Sequence, residues 1–347
     1  MPPRSTPTSI ALGIISDISD TVNGVLADQL RERRDWSEQI IGYTGYGGKG
    51  WVRVMARVLL GRPEDAVRKP PELVRGWRSF LTIQIPQQRV TVTVGSHRHT
   101  VLTDGSGLID VVLTGDLPSG WQQITLETSD SERVTAPVNI IDPSVRVGLV
   151  SDVDDTVMVT ALPRAALAAW NTFVLAENAR RSVPGMAVLY ERWVRTHPGS
   201  PVIYLSTGAW NVAPTLTRFL DRHLFPRGPL LLTDWGPTRE RWFRSGNAHK
   251  RTQLRRLARE FPDITWVLVG DDGQHDPDIY AEFAQTHPEH VAAVAIRHLS
   301  PTEHVLAGGL TVPVESMDQA RDVPGTPWVS APHGAGLARL LETEGLL

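Results

Sequence analysis

Three carboxylates fall within four residues in Ser151-Asp152-Val153-Asp154-Asp155-Thr156, directly after the apolar run Val145–Val150. Like charges crowded beside a buried strand repel one another and lose hydration, so they call for a compensating cation. Hard divalent cations take oxygen ligands of this kind. A calcium loop does not fit. Starting at Asp152, it needs Gly where Val157 stands and Glu where Pro163 stands. A polar turn capping a helix also suits Asp and Thr, so this run by itself leaves two readings.

Other segments carry matching chemistry. Val202–Leu205 runs into Ser206-Thr207-Gly208, a hydroxyl and backbone amides at a helix start, which suit a phosphate. Lys250 follows Gly246-Asn247-Ala248-His249 and is expected to open a helix. A cation there opposes the helix dipole unless an anion lies near. Trp266–Val269 runs into Gly270-Asp271-Asp272-Gly273-Gln274-His275-Asp276, more acid at a strand end. Each segment alone has an ordinary structural reading. Together, in order and each at a strand end or helix start, they point to one site.

The elements that position them alternate. Apolar strands are expected at Val145–Val150, Val202–Leu205, Leu230–Leu232, Trp266–Val269 and Val291–Ile296. Helices are expected at Met186–Arg195, Val212–His223, Lys250–Phe261 and Asp278–Thr286. This is the pattern of an α/β fold with a doubly wound parallel sheet. Such sheets bind ligands at the carboxyl ends of their strands. The tail from Leu306 reads as Pro-rich loops and a closing helix near Leu337–Glu344.

Upstream the texture differs. Short alternating strands, such as Ala56–Leu60, Arg89–Val94, Leu108–Leu113, Gln122–Leu126 and Val134–Ile141, are broken by turn residues. They predict a β-sandwich. His97 and His99 read as residues of a turn beside Gly95 and Ser96, without the further ligands a metal site needs. Ile15, Ile18, Val22, Val25, Leu26 and Leu30 predict an amphipathic N-terminal helix. The expected segments are 1–38 (helical), 39–144 (β-sandwich) and 145–347 (catalytic, with the tail).

Composition narrows the function. With 35 basic against 38 acidic residues, no global positive field exists to hold nucleic acid. Cys is absent, which excludes disulfides, thiolate metal sites and a cysteine nucleophile. No apolar run approaches the ~18 residues of a membrane span. Asp17 and Asp20 interrupt the N-terminus too early for a secretory signal, so a cytoplasmic location is expected. Arg31, Arg33 and Arg34 suit local contact with an anionic membrane.

The catalytic half resembles the haloacid dehalogenase superfamily of aspartate-nucleophile phosphatases. More narrowly, it is similar to bacterial members of the actin-patch phosphatidate phosphatase family. The likeness rests on Ser151 to Thr156, Tyr204-Leu205-Ser206-Thr207-Gly208, Phe225-Pro226 through Asp234-Trp235-Gly236, His249-Lys250 and Gly270 to Pro277. It covers roughly residues 145–300. More loosely it reaches 40–142, where Gly42-Tyr43-Thr44-Gly45-Tyr46-Gly47 precedes the β domain.

The resemblance implies a Mg²⁺-dependent phosphatase with a minimal cap. Asp152 is then the nucleophile, forming an aspartyl-phosphate, and Asp154 the general acid and base. Mg²⁺ is held by Asp152, Asp271 and the backbone carbonyl of Asp154. Ser206, Thr207, Gly208 and Lys250 hold the phosphoryl group. Asp272 or Asp276 orients the metal site or joins its ligands, and Asp272 stands where related sequences often carry Ser. The echo Ser16-Asp17-Ile18-Ser19-Asp20-Thr21-Val22 lacks the acid/base and sits in a helical pattern, so it is read as coincidence.

With no independent cap between Thr156 and Val202, an open site favours a bulky substrate such as a lipid phosphate. Leu162, Ala166, Ala169, Trp170 and Phe173 form an apolar stripe within Ala161–Leu175 that suits either sheet packing or a lid against acyl chains. Trp210 suits core or substrate wall. The expected activity is hydrolysis of phosphatidate or a related lipid phosphate by a cytoplasmic enzyme peripheral to the membrane. The alternatives are a phosphatase of a soluble or protein-bound phosphomonoester, and a non-enzymatic adaptor that binds a protein partner through its β-sandwich.

Overall fold

The computed structural model describes residues 36–61, 83–159, 181–233, 239–273, 275–300, 303 and 323–347. The chain divides into two compact units, Met1–Ile140 and Ile141–Leu347. Most of the expected N-terminal helix, with Arg31, Arg33, Arg34 and the Ser16–Val22 echo, lies outside the described residues. So does the Ala161–Leu175 stripe.

The first unit contains β1 (Ser37–Gly42), β2 (Gly45–Gly48), β3 (Trp51–Gly61), β4 (Ile83–Gln84) and β5 (Arg89–Val94). It continues with β6 (His97–Leu102), β7 (Leu108–Thr114), β8 (Gly120–Glu127) and β9 (Val134–Ile140). Hydrogen bonding joins all nine strands into one continuous sheet. The pairings are antiparallel except β2 with β9. β3 is central because it is buried on both faces. Val52, Val54, Ala56, Val58 and Leu60 alternate into a core with Val90, Val92, Ile124, Leu126 and Val138. On the other face Arg53 pairs with Asp110 at 2.5 Å, and Arg57 Nε donates to the Ser106 carbonyl at 3.0 Å.

Two expectations change here. The sheet already begins at Ser37, inside the segment read as helical. His97 and His99 lie on β6, not in the turn before it, and alternation along the strand puts both rings on one face. Their rings stack at 6.3 Å, and His99 Nε2 bonds the Thr114 carbonyl at 2.8 Å.

The second unit is α/β. Its strands are β10 (Val147–Asp152), β11 (Val202–Ala209), β12 (Leu230–Thr233), β13 (Thr265–Asp271), β14 (Val291–Arg297) and β15 (Trp328–Ala331). Its helices are α1 (Met186–Thr196), α2 (Ala213–Arg222), α3 (Arg239–Glu260), α4 (Asp276–Thr286) and α5 (Gly334–Thr343). All strand pairs are parallel, in the order β12-β11-β10-β13-β14-β15. The chain steps outward from β10 to β12, then returns beside β10 and steps outward to β15. The near-continuous burial of β10 to β14 is what a parallel sheet covered on both faces requires.

Three further corrections follow. β10 extends to Asp152, so the first acid belongs to the strand itself. Lys250 does not open its helix: α3 starts at Arg239 and carries Lys250 in its interior. The tail is not only loops and a helix, since Trp328–Ala331 adds a sixth strand beside β14. Short length and flanking prolines, Pro327 and Pro332, hide that strand in the sequence.

Candidate active site

The strand order reverses between β10 and β13, and open α/β sheets bind ligands in the crevice at that switch point. Asp152, the last residue of β10, pairs in register with Leu205 of β11, so Ser206 follows on the neighbouring strand. Asp271 closes β13 opposite Arg297, which closes β14. Parallel register therefore brings separated segments to one end of the sheet.

Lys250 meets them from α3. Its Nζ donates to Asp152 Oδ1 at 2.7 Å and also to Asp276 Oδ1. One ligand oxygen each from Asp152, Asp271 and Asp276 lies within 4.8 Å of the others. The burial is nearly complete: 2% exposure for Asp152, 1% for Asp271 and Asp276, and 4% for Lys250. Burial pushes the Asp152 carboxyl well above the ordinary range; Lys250 pulls it back, and Asp276 and Asp154 push it further up. Asp271 is raised by burial, then by Asp276 and Asp152. Burial pulls the Lys250 ammonium down, but Asp152 and Asp276 outweigh it and hold the group above its ordinary value.

One ammonium does not balance three carboxylates. Asp276 Oδ2 is buried and accepts no hydrogen bond among the described residues. A buried acceptor left unmatched is costly. An oxygen-seeking divalent cation fits this donor set.

Two glycines stand at close approaches around the cluster. A Cβ on Gly270 would lie 2.7 Å from Asp276 Oδ2 and 2.8 Å from Tyr280 Cε2, so Asp276 reaches the cluster across a bare backbone. A Cβ on Gly246 would lie 2.9 Å from Thr207 Cγ2. Gly246 and Lys250 are four residues apart on one helix face, so the close packing at Gly246 sets Lys250 against the strand ends.

Asp154 and Ser206 form a second pair. The Ser206 hydroxyl donates to Asp154 Oδ2 at 3.1 Å and accepts from the Gly208 amide at 3.0 Å. Thr233 of β12 steadies this loop, its hydroxyl lying 3.0 Å from the Thr207 carbonyl and 3.2 Å from that of Gly208. Trp210 is 3% exposed and belongs to the core.

Asp272 points elsewhere. Its Oδ1 accepts from the Leu299 amide at 2.8 Å, and its Oδ2 lies 2.7 Å from His298 Nδ1. Of the two acids that sequence leaves open, Asp276 joins Asp152 and Asp271, and Asp272 does not. Side-chain direction past a strand end depends on loop backbone, which spacing does not show.

Sequence reasoning missed Arg297, Thr233 and Tyr190, whose hydroxyl lies 2.5 Å from Ser151 Oγ. Thr233 and Arg297 do stand at strand ends on the ligand side, which is a usable signal. Tyr190 lies inside an ordinary amphipathic helix and gives none.

These features define an α/β unit with a buried, cation-seeking carboxylate cluster and a phosphate-suited loop beside it. Residues 147–298 match the family model described as phosphatidate phosphatase APP1, catalytic domain. Phosphatidate phosphatase APP1 of Saccharomyces cerevisiae is 25% identical over 204 residues, covering 56% of this chain and 34% of that protein. An uncharacterized Schizosaccharomyces pombe protein is 26% identical over 181 residues, covering 51% of this chain and 29% of that one. The chain thus spans about a third of the length of these curated relatives. A solved carbohydrate acetylesterase from Xanthomonas citri aligns over 76% of this chain and 70% of its own, at 11% identity. Its TM-score of 0.28 carries no argument about fold or function. Residues 147–298 are thus similar to the catalytic domain of a phosphatidate phosphatase family. No helix among the described residues is long and apolar enough to cross a membrane.

Proposed function

We propose that the second unit is a Mg²⁺-dependent phosphatase that works through an aspartyl-phosphate on Asp152 and acts on phosphatidate or a related lipid phosphate. The accompanying fold reading is a haloacid dehalogenase-like domain with a minimal cap, preceded in the chain by a sandwich-type β domain available to a protein partner. The setting that goes with it is cytoplasmic, at the membrane surface. The observation that carries the reading is Lys250, buried and shared between Asp152 and Asp276 beside Asp271. The family match over 147–298 supports the same chemistry.

Asp152, Asp271 and Asp276 would hold the ion. When bound, it supplies positive charge between the anionic carboxylate and the anionic phosphoryl group. A carboxylate oxygen of Asp152 attacks phosphorus, and the bond from phosphorus to the substrate alcohol oxygen breaks. Asp154 gives that oxygen its proton. Asp154 then takes a proton from water, the water oxygen attacks phosphorus, and the bond to Asp152 breaks to free phosphate. The Ser206 hydroxyl, already bonded to Asp154, ties the acid/base to the phosphoryl-holding loop. Lys250 favours the ionised form of Asp152 against the burial that opposes it, and steadies charge on the transferring group.

The test is phosphate release from phosphatidate in mixed micelles, with Mg²⁺ and with chelator, beside a soluble aryl phosphate. The expected result is Mg²⁺-dependent release from phosphatidate. Release from the aryl phosphate alone overturns the lipid assignment, and silence on both overturns the phosphatase reading.

A further inference from the structure

Arg297 ends β14 with its side chain only 5% exposed, and every part of its guanidinium is engaged. Nη1 donates to the Asp155 carbonyl at 2.6 Å, Nη2 to Glu303 Oε1 at 2.7 Å, and Nε to the Pro332 carbonyl at 3.4 Å. Asp155 immediately follows the acid/base Asp154 and holds a left-handed backbone, φ 56°. Left-handed backbone is uncommon outside glycine, although Asp is among the residues that take it most readily, and contacts around the turn help to hold it. Two local bonds shape the same turn: Asp155 N to the Met158 carbonyl at 2.8 Å and Val157 N to the Val153 carbonyl at 3.0 Å. Among the described residues, the Arg297 side chain ties this turn to β14.

The two residues after Arg297 grip the other acidic loop. His298 and Leu299 both bond the Asp272 carboxylate, at 2.7 and 2.8 Å, and the Asp272 amide donates to the Arg297 carbonyl at 3.0 Å. One three-residue segment thus holds the loop of Asp152 and Asp154 through a side chain, and the loop of Asp271 through main-chain and ring contacts.

We propose that Arg297 is a positioning residue, and that the segment Arg297–Leu299 is a bracket fixing the spacing between the two acid-bearing loops. The inference rests on the reading of Asp152, Asp154 and Asp271 as reacting and metal-holding groups. Planar guanidinium geometry matters because two diverging N–H groups must reach the Asp155 carbonyl and Glu303 together.

The experiment compares wild type, Arg297→Ala, Arg297→Lys and Glu303→Gln in full-length protein. Mn²⁺ affinity is read from the free-ion electron paramagnetic resonance signal, and kcat and KM are read on an aryl phosphate. Loss of a group that orients metal ligands typically lowers affinity or activity about 10- to 100-fold. Arg297→Ala is expected to lose that much in kcat and Mn²⁺ affinity, with KM within about threefold. Added guanidinium should restore at least part of the kcat, which a merely structural defect does not allow. Glu303→Gln keeps the bond to Asp155 and should stay near wild type. Folded Arg297→Ala with unchanged kcat and Mn²⁺ affinity overturns the proposal, as does loss without guanidinium rescue. If Arg297→Ala does not fold, Arg297→Lys decides. Its single nitrogen should cost about tenfold in both readouts, and wild-type values contradict the bracket. If wild type hydrolyses no phosphomonoester, the phosphatase reading fails, while the Mn²⁺ comparison still tests the bracket.

Discussion

Lys250 Nζ lies 2.7 Å from Asp152 Oδ1, with the two side chains 5% and 3% exposed. Helix α3 brings the cation from one segment and β10 the anion from another, and neither is stable in that position alone. Breaking a buried pair by removing one partner costs about 3–5 kcal/mol. Lys250→Met removes the ammonium but keeps much of the volume. Urea denaturation in chelator should show a loss of that order, and Mg²⁺ should recover part of it. A chelated variant as stable as wild type contradicts the account.

The two candidate acids beyond Asp271 are separable. Asp276→Asn removes a carboxylate from the cluster and should lower Mn²⁺ affinity about 10- to 100-fold. Asp272→Asn still offers an oxygen to the Leu299 amide and should leave that affinity within about threefold. Titration of free Mn²⁺ reads both, and the reverse order assigns the metal to Asp272.

The two glycines make opposite predictions. At Gly270 the intruding Cβ meets Asp276 Oδ2 at 2.7 Å, Asp276 Cβ at 2.8 Å and Tyr280 Cε2 at 2.8 Å. Overpacking of this kind costs about 1–3 kcal/mol, so Gly270→Ala should lower the melting temperature and displace Asp276, weakening Mn²⁺ binding. At Gly246 the nearest atom is a Thr207 methyl, 2.9 Å away. Alanine in a helix interior gains about 0.5–1 kcal/mol over glycine, which offsets a small shift of Thr207. Near-wild-type melting is expected for Gly246→Ala. A thermal melt of both variants checks the contrast, and equal losses refute it.

Burial holds the Asp152 and Asp271 carboxyls well above the ordinary 3.8. The folded protein therefore keeps protons that the unfolded chain has released. That contribution to stability is complete below about pH 4 and is lost as pH rises through the raised values. In chelator, Asp271→Asn should gain stability relative to wild type as pH rises above about 4. With Mg²⁺ present the gain should shrink or reverse, because the ionised form binds the ion. A chelated difference that is flat with pH contradicts the assignment.

Residue chemistry told much of this before the fold was in view. Asp152 and Asp271 stand out because charge at the end of an apolar strand is expensive without a purpose, and Lys250 stands out only in their company. The parallel sheet follows from strand–helix alternation. Local spacing carries less about direction, so Asp272 and Asp276 look equivalent until the β13 loop turns one toward Leu299 and the other toward Lys250. The start of α3 is hidden in the sequence because Gly246 and Asn247 are poor helix formers, and tertiary packing overrides them. Arg297 shows in the sequence only as a charge at a strand end; its partner Asp155, 142 positions away, emerges only in the fold.

The most direct measurement is a rapid-quench trap of wild-type phosphatidate turnover in the presence of Mg²⁺, followed by mass spectrometry of the peptide bearing Asp152. A phosphoryl group on Asp152, absent from an Asp152→Asn control that also releases no phosphate, is the predicted result. Sustained phosphate release by the Asp152→Asn protein, or a phosphoryl group trapped on another residue, contradicts the account.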